Sequence, residues 1–266
     1  MPIKTQTCLK AKKSYGQHFL RHPEIARRIA QSLSNPGPFD TVAEIGPGKG
    51  MLTRFLFDLP YRLLAIEADR DMVDYLLLHY PQLEGGLISA DFLKLNLREH
   101  LTGQFAIIGN FPYNISSQIL FKMLEVKDLV PELVGMFQKE VAERVVAGPG
   151  TRDYGVISVL VQAFYEGEYL FTVDKENFIP PPKVQSGVIR LTRRDNQDLG
   201  CDQALFKQVV KQAFSQRRKM LRNTMKSLIE DPSALADPFF DQRPERLSVH
   251  DFVELTNQVM KDRRME

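Results

Sequence analysis

Four short strand-like runs, each closing on a glycine or a polar residue and each leading toward a helical pattern, constrain this chain more than any other feature. The runs are Thr41–Ile45, Arg62–Ile66, Leu87–Ala90 and Phe105–Gly109, and the residues that close them are Gly46, Glu67, Asp91 and Asn110. Strands alternating with helices predict an α/β fold with a mainly parallel sheet. The carboxyl ends of neighbouring strands in such a sheet converge on one crevice, where ligands bind. Any one of the four residues alone carries little; four in the same position along successive units predict a shared site.

The first unit has a glycine turn, Gly46-Pro47-Gly48-Lys49-Gly50, followed by a helical pattern from Met51 to Asp58. Glycines let the backbone approach a ligand closely, and a helix N-terminus offers free N–H groups. The spacing is G-x-G-x-G, so neither the dinucleotide fingerprint G-x-G-x-x-G nor a P-loop with Gly-Lys-Ser/Thr is present. Glu67 stands 19 residues beyond Gly48, where an acidic side chain can accept both hydroxyls of a ribose. Asp91 can accept from the amine of a bound adenine, or cap the next turn. Met72, Tyr75, Leu76 and His79 recur at helical spacing and read as core contacts and their edge.

The fourth run leads into Asn110-Phe111-Pro112-Tyr113, ahead of a helix from Ile115 to Glu125. Asn110 offers an amide oxygen as acceptor. Pro112 fixes its own φ and restricts the residue before it, so the carbonyl of Phe111 is a second, positioned acceptor. Tyr113 offers an aromatic face, and stacking of a base on such a face contributes roughly 1–3 kcal/mol. Two acceptors beside a stacking ring suit a planar group with an exocyclic amine, such as adenine. They also draw that amine's lone pair out of conjugation, which makes it a nucleophile.

The later chain reads as strand Leu133–Phe137, helix Lys139–Ala147, an apolar helix Gly155–Phe164, and two late strands, Leu170–Val173 and Val184–Leu191. Between these strands, Phe178 to Val184 holds three consecutive prolines and is extended and stiff. Phe178 either packs on a base in the crevice or anchors the loop. Composition turns polar near Arg193–Gly200, which divides the chain into domains 1–195 and 196–266. In the second, Leu205, Phe206, Val209, Val210, Ala213 and Phe214 form one apolar stripe. No acidic residue lies between Asp202 and Glu230, while Lys207, Lys211, Arg217, Arg218, Lys219, Arg222 and Lys226 do. Solvated helix faces mix signs; an uncompensated run of this kind predicts a phosphate-binding surface.

With 266 residues, 43% hydrophobic and 26% charged, the chain is of globular composition, and its net charge of +2 says less than its distribution. Cys8 and Cys201 fit no metal or redox spacing, so neither a zinc site nor a disulfide framework is expected. No apolar run reaches membrane-span length, and no apolar segment follows the N-terminal lysines. A cytoplasmic protein without a membrane partner is the expectation. Lys4, Lys10, Lys12, Lys13 and Arg21 make residues 1–23 basic without any acid. Gly16-Gln17-His18-Phe19-Leu20 has neither helical nor strand period and reads as a loop lying over another element.

Taken together, Gly16–Leu20, Glu44–Gly48, Asn110–Tyr113, Phe178–Ser186 and Phe214–Lys219 resemble the bacterial small-subunit (16S) ribosomal RNA adenine N6-dimethyltransferases, the KsgA/RsmA family, nearly end to end. The resemblance implies a Rossmann-like methyltransferase domain with a mainly parallel seven-stranded sheet, and a small helical C-terminal domain that binds RNA. It implies S-adenosylmethionine as donor, no metal, and a monomer. Carried over by position, His18 and Leu20 line the donor's methionine end, Gly46 supplies backbone, Glu67 holds the ribose and Asp91 meets the adenine. Asn110 lies between donor and target, with Phe111, Pro112 and Tyr113 completing the catalytic turn. Phe178, Arg217, Arg218, Lys219 and Arg222 become RNA contacts. The implied substrate is two adjacent adenines in a hairpin loop near the 3′ end of small-subunit rRNA, each dimethylated on N6 within an assembling subunit.

Two residues depart from the family's pattern: His18 stands where Asn is usual, and Phe111 where Leu is usual. A charged His18 predicts pH-sensitive donor binding, whereas the role of Phe111 is a backbone one and survives the change. The related large-subunit rRNA methylases that confer macrolide resistance are an enzyme alternative, and an assembly factor acting by RNA binding is a non-enzymatic one. The turns at Gly46–Gly50 and Asn110–Tyr113 argue against a nicotinamide dehydrogenase.

Overall fold

The structure is a computed structural model describing Lys12 and residues 16–34, 37–229 and 231–262. Its centre is the sheet that the alternating runs require. The strands are β2 (Thr41–Ile45), β3 (Arg62–Glu67), β4 (Leu87–Ser89), β5 (Phe105–Asn110), β6 (Glu132–Gln138), β7 (Tyr165–Val173) and β9 (Ser186–Arg193), in spatial order β4-β3-β2-β5-β6-β9-β7. β2 pairs in parallel with both β3 and β5, and the order reverses there. This is the switch point at which a crevice opens beyond the strand ends. β4–β3 and β5–β6 are also parallel, and β9 runs antiparallel to β6. All five residues of β2 and the first five of β5 are buried, as strands covered on both faces must be.

Three elements depart from the sequence expectation. The helix expected over Met51–Asp58 shrinks to α2 (Thr53–Leu56), because Gly46, Gly48 and Gly50 all take positive φ (67°, 57° and 77°) and spend the preceding residues on turns. β7 starts at Tyr165, not Leu170: its first residues alternate buried and exposed, with Glu166 and Glu168 outward, so the strand signal there is alternation and not an apolar run.

The segment Gly16–Leu20, expected as loop, contains the two-residue strand β1 (Phe19–Leu20). It pairs antiparallel with β8 (Phe178–Ile179), Leu20 opposite Phe178. Helix α1 (Pro23–Ala30) follows β1, and α3 (Arg70–His79), α5 (Ser116–Glu125) and α6 (Lys139–Val146) fall where the sequence pattern predicts. Asp69 caps α3 by accepting from the N–H of Asp71 at 3.1 Å. Between β4 and β5, α4 (Leu97–His100) is a single turn capped by Asn96.

Contacts group the chain into two compact units, one drawn from Met1–Ala142 and Glu168–Thr192, the other from Glu143–Gly167 and Arg193–Glu266. This grouping differs from the linear boundary at 195 in placing Glu143–Gly167 with the later residues. In the second unit, α7 (Val156–Gln162) is apolar on nearly every face and packs on α8 (Gln203–Ala213), which buries Leu205, Phe206, Val209, Val210 and Ala213. The short α9 (Leu221–Thr224) also meets α8. So does α10 (Val249–Asp262), burying Phe252, Leu255 and Val259.

Candidate active site

The Asn110–Tyr113 turn begins where β5 ends. The N–H of Phe111 donates to the carbonyl of Met136 on β6 at 3.2 Å, and the N–H of Ile115 to the carbonyl of Pro112 at 3.2 Å. The Phe111 side chain is fully buried and meets Phe137 edge-to-face at 5.0 Å. The Asn110 amide donates its Nδ2 hydrogen to the carbonyl of His18 at 2.9 Å, which fixes the amide plane and leaves Oδ1 as the acceptor. Tyr113 is held at two points. Its hydroxyl meets Ser186 Oγ at 2.5 Å, and its ring stacks on the His18 ring at 5.3 Å. Burial raises the Tyr113 pKa above its ordinary value, so the phenol stays neutral. His18 Nδ1 lies 2.8 Å from the carbonyl of Pro180; a carbonyl only accepts, so Nδ1 carries the hydrogen.

The opposite side of the crevice is built by the glycine turn and β3. Glu67 is 5% exposed, yet both its oxygens accept backbone hydrogens, Oε2 from Gly48 at 3.0 Å and Oε1 from Asp69 at 2.9 Å. Burial raises its pKa and the two N–H donors oppose that rise. Asp91 Oδ1 caps its own turn by accepting from Leu93 N–H at 3.0 Å, and the residue also lines the cavity.

Gly46, Glu67, Asp91, Asn110, Tyr113, His18 and Leu20 all line a single cavity of about 540 Å³. That size lies within the range of about 300–1,000 Å³ for small-molecule and cofactor sites. A donor with a diol, a planar amine-bearing base and an amino-acid tail meets matching groups here. The buried carboxylate of Glu67 suits the diol, Asp91 suits the amine, and positive-φ glycines admit close approach. At Gly46, φ +67°, a Cβ would stand in ordinary contact with Pro112 Cδ at 3.7 Å, so the glycine turn lies against the Asn110–Tyr113 turn.

Several lining residues carried no sequence role. Glu44 is 1% exposed, accepts from Thr53 Oγ1 at 2.7 Å, and burial pushes its pKa up to about 8. Tyr75, read as a core contact, lines the cavity with Tyr80. Their helical spacing gave no hint of this, because a helix edge can face a ligand as well as the core.

Three residues assigned to RNA meet partners within the protein. Phe178 is 1% exposed, packs in the core with Leu20, Val173 and Val188, and is absent from the cavity lining. It anchors its loop, the second of its two readings. Arg217 donates to the backbone carbonyls of Thr151, at 3.2 Å, and of Arg152. Arg222 is paired with Asp241. Both are internal ties, formed with partners far away in sequence. Lys207, Lys211, Arg218, Lys219 and Lys226 are exposed, as a phosphate-binding surface needs. Lys4, Lys10 and Lys13 lie outside the described residues.

Residues 8–255 match the ribosomal RNA adenine dimethylase family. The chain belongs to this family. Among its relatives, the ribosomal RNA small subunit methyltransferase A of Parabacteroides distasonis is 55% identical over 249 residues, covering 93% of either protein. A dimethyladenosine transferase from Plasmodium falciparum superposes with a TM-score of 0.78 at 26% identity, covering 92% of this chain and 98% of that one. The 23S rRNA methyltransferase ErmE shares the fold, with a TM-score of 0.66 at 24% identity, 91% of this chain and 99% of that one. Among the described residues of this dimethylase-family chain, no helix is long and apolar enough to cross a membrane, and no group of three or more His, Cys, Asp or Glu side chains is placed to hold a metal ion.

Proposed function

We propose that this chain transfers methyl groups from S-adenosylmethionine to the N6 amines of two adjacent adenines in the 3′-terminal hairpin loop of small-subunit rRNA, late in subunit assembly. Membership of the adenine dimethylase family supports the reaction, and the name shared by relatives at 50–55% identity supports the small subunit. The large-subunit alternative has as its parallel a fold match at 24% identity.

The observation that carries the catalytic assignment is the orientation of Asn110. Its NH2 is spent on the His18 carbonyl, so its oxygen is the group free to accept from a substrate amine. The target adenine leaves its stack to enter the crevice. Tyr113, held by Ser186 and His18, stacks on it. Asn110 Oδ1 and the carbonyl of Phe111 accept the two amine hydrogens and localise the lone pair on N6. Glu67 holds the donor's ribose, Asp91 its adenine amine, Gly46 its backbone-facing edge, and His18 and Leu20 its methionine end. When bound, the donor supplies an electrophilic sulfonium methyl. Rate enhancement then comes from positioning and electrostatics, without a covalent intermediate on the protein. The second transfer uses an amine with one hydrogen left, so the turn must work with one of its two acceptors idle.

The test is transfer of labelled methyl groups from S-adenosylmethionine to undermethylated small subunits, with large subunits as control and nucleoside digestion of the product. Dimethyladenosine from the small subunit alone is expected. Label only in the large subunit would move the chain to the resistance methylases. Binding without label would leave an assembly factor. An Asn110→Ala chain that binds subunits but transfers at the normal rate would overturn the assignment of Asn110.

A further inference from the structure

Lys12 stands at the head of a continuous polar chain that ends in the glycine turn. Its Nζ lies 2.6 Å from Asp69 Oδ1 and 2.7 Å from Asp71 Oδ2. Its backbone N–H donates to Gln17 Oε1 at 2.9 Å, and Gln17 Nε2 donates to Asp69 Oδ2 at 3.1 Å. Asp69 in turn gives its N–H to Glu67 Oε1, and Glu67 Oε2 receives the N–H of Gly48. The Asp69 side chain is 1% exposed, so Lys12 is its link to a cation at the edge of the protein.

Gly16, Gln17, His18 and Phe19 form part of the cavity wall. Gly16 has φ +61°, and a Cβ on it would sit 2.4 Å from Asn114 Oδ1. The carbonyl of His18 orients Asn110, and the ring of Phe19 lies 3.0 Å from where a Cβ on Gly48 would stand. Thus Gln17–Phe19 touches the catalytic turn, the glycine turn and the head of α3 together. Phe19 and Leu20 pair with β8, and Gln17 is tied to the backbone of Lys12.

We propose that Lys12 is a positioning residue for the methyl donor: through Asp69 and Gln17 it holds both the carboxylate of Glu67 and the wall Gly16–Phe19 in their donor-binding arrangement. This rests on the donor reading above and adds a determinant to it. Lys12 itself does not line the cavity, so it acts on donor affinity and not on the reacting atoms. Removing the ammonium leaves the buried Asp69 carboxylate without its cation. Glu67 and Gln17 then lose the partner that holds them in place.

The experiment is calorimetric titration of S-adenosylmethionine, and of its demethylated product, into the full chain, with kcat and KM for the donor measured on undermethylated small subunits. Lys12→Met is expected to weaken donor binding and raise the donor KM about tenfold, a buried-pair loss discounted for the partial exposure of Lys12, with kcat changing by less than about twofold. Lys12→Arg keeps a cation within reach of both carboxylates and should recover most of the affinity. A Lys12→Met chain that binds within twofold of the parent overturns the proposal, as does an equal loss in kcat and KM accompanied by a lower melting temperature. Absence of donor binding by the parent chain would overturn the donor reading and the role of Lys12 with it.

Discussion

The ring of Phe111 occupies the space that a side chain on Gly135 would need. A Cβ at Gly135 would stand 2.1 Å from Phe111 Cε2, and one at Gly109 would stand 2.7 Å from Cε1. Gly109 and Gly135 are register partners on β5 and β6, so the ring is seated on a cross-strand pair of glycines. The seat holds the residue whose carbonyl is assigned to the substrate amine.

Gly135→Ala should therefore dislodge the ring. Overpacking of this kind costs about 1–3 kcal/mol, and methyl transfer should fall with it as the Phe111 carbonyl moves. Adding Phe111→Leu should recover part of both losses. Thermal melts and initial rates on the single and double variants check this; a Gly135→Ala chain as stable and active as its parent would remove the seat from the account.

Tyr113 and Ser186 should behave as a coupled pair. Ser186 is fully buried, so Ser186→Ala leaves the Tyr113 hydroxyl unpartnered, at a cost of about 1–3 kcal/mol. Taking away the hydroxyl too, as Tyr113→Phe, should give back much of that. Urea unfolding of the two singles and the double reads the coupling directly, and additive losses would count against it.

Glu44 ties stability to pH. Its carboxyl has a pKa of 4.5 when exposed and about 8 when folded, because burial penalises the charge. A raised carboxyl favours the folded state at low pH. This contribution is complete below the unfolded pKa and is lost as pH rises through the folded one. Between pH 5 and 8 the chain should lose stability from this group, and Glu44→Gln should flatten that decline. The gap in melting temperature between variant and parent should grow in the variant's favour as pH rises; a gap independent of pH would mean that Glu44 is charged in the folded state.

The basic surface separates into two kinds of residue. Neutralising the exposed Arg218 and Lys219 together should weaken RNA binding and reduce the salt slope by about two, roughly one per phosphate contact. Neutralising Arg217 or Arg222 should act on stability instead, since both are tied to the protein. Salt titrations of RNA binding beside thermal melts distinguish the two kinds. An unchanged slope for the exposed pair would exclude them as phosphate contacts.

The sequence by itself determined the strand–helix alternation, the four strand ends at Gly46, Glu67, Asp91 and Asn110, and the apolar stripe of α8. These follow from local pattern, and a parallel sheet brings its strand ends together whatever the intervening residues are. Only the tertiary structure decided what each polar or aromatic group meets. Phe178 became core, Arg217 and Arg222 became internal ties, Glu143–Gly167 joined the second unit, and Lys12 reached Asp69 across 57 positions. Such pairings leave no periodicity to read. A cation's role is fixed by which carboxylate or carbonyl the fold brings within about 3 Å of it, and that distance exists only once the chain has packed.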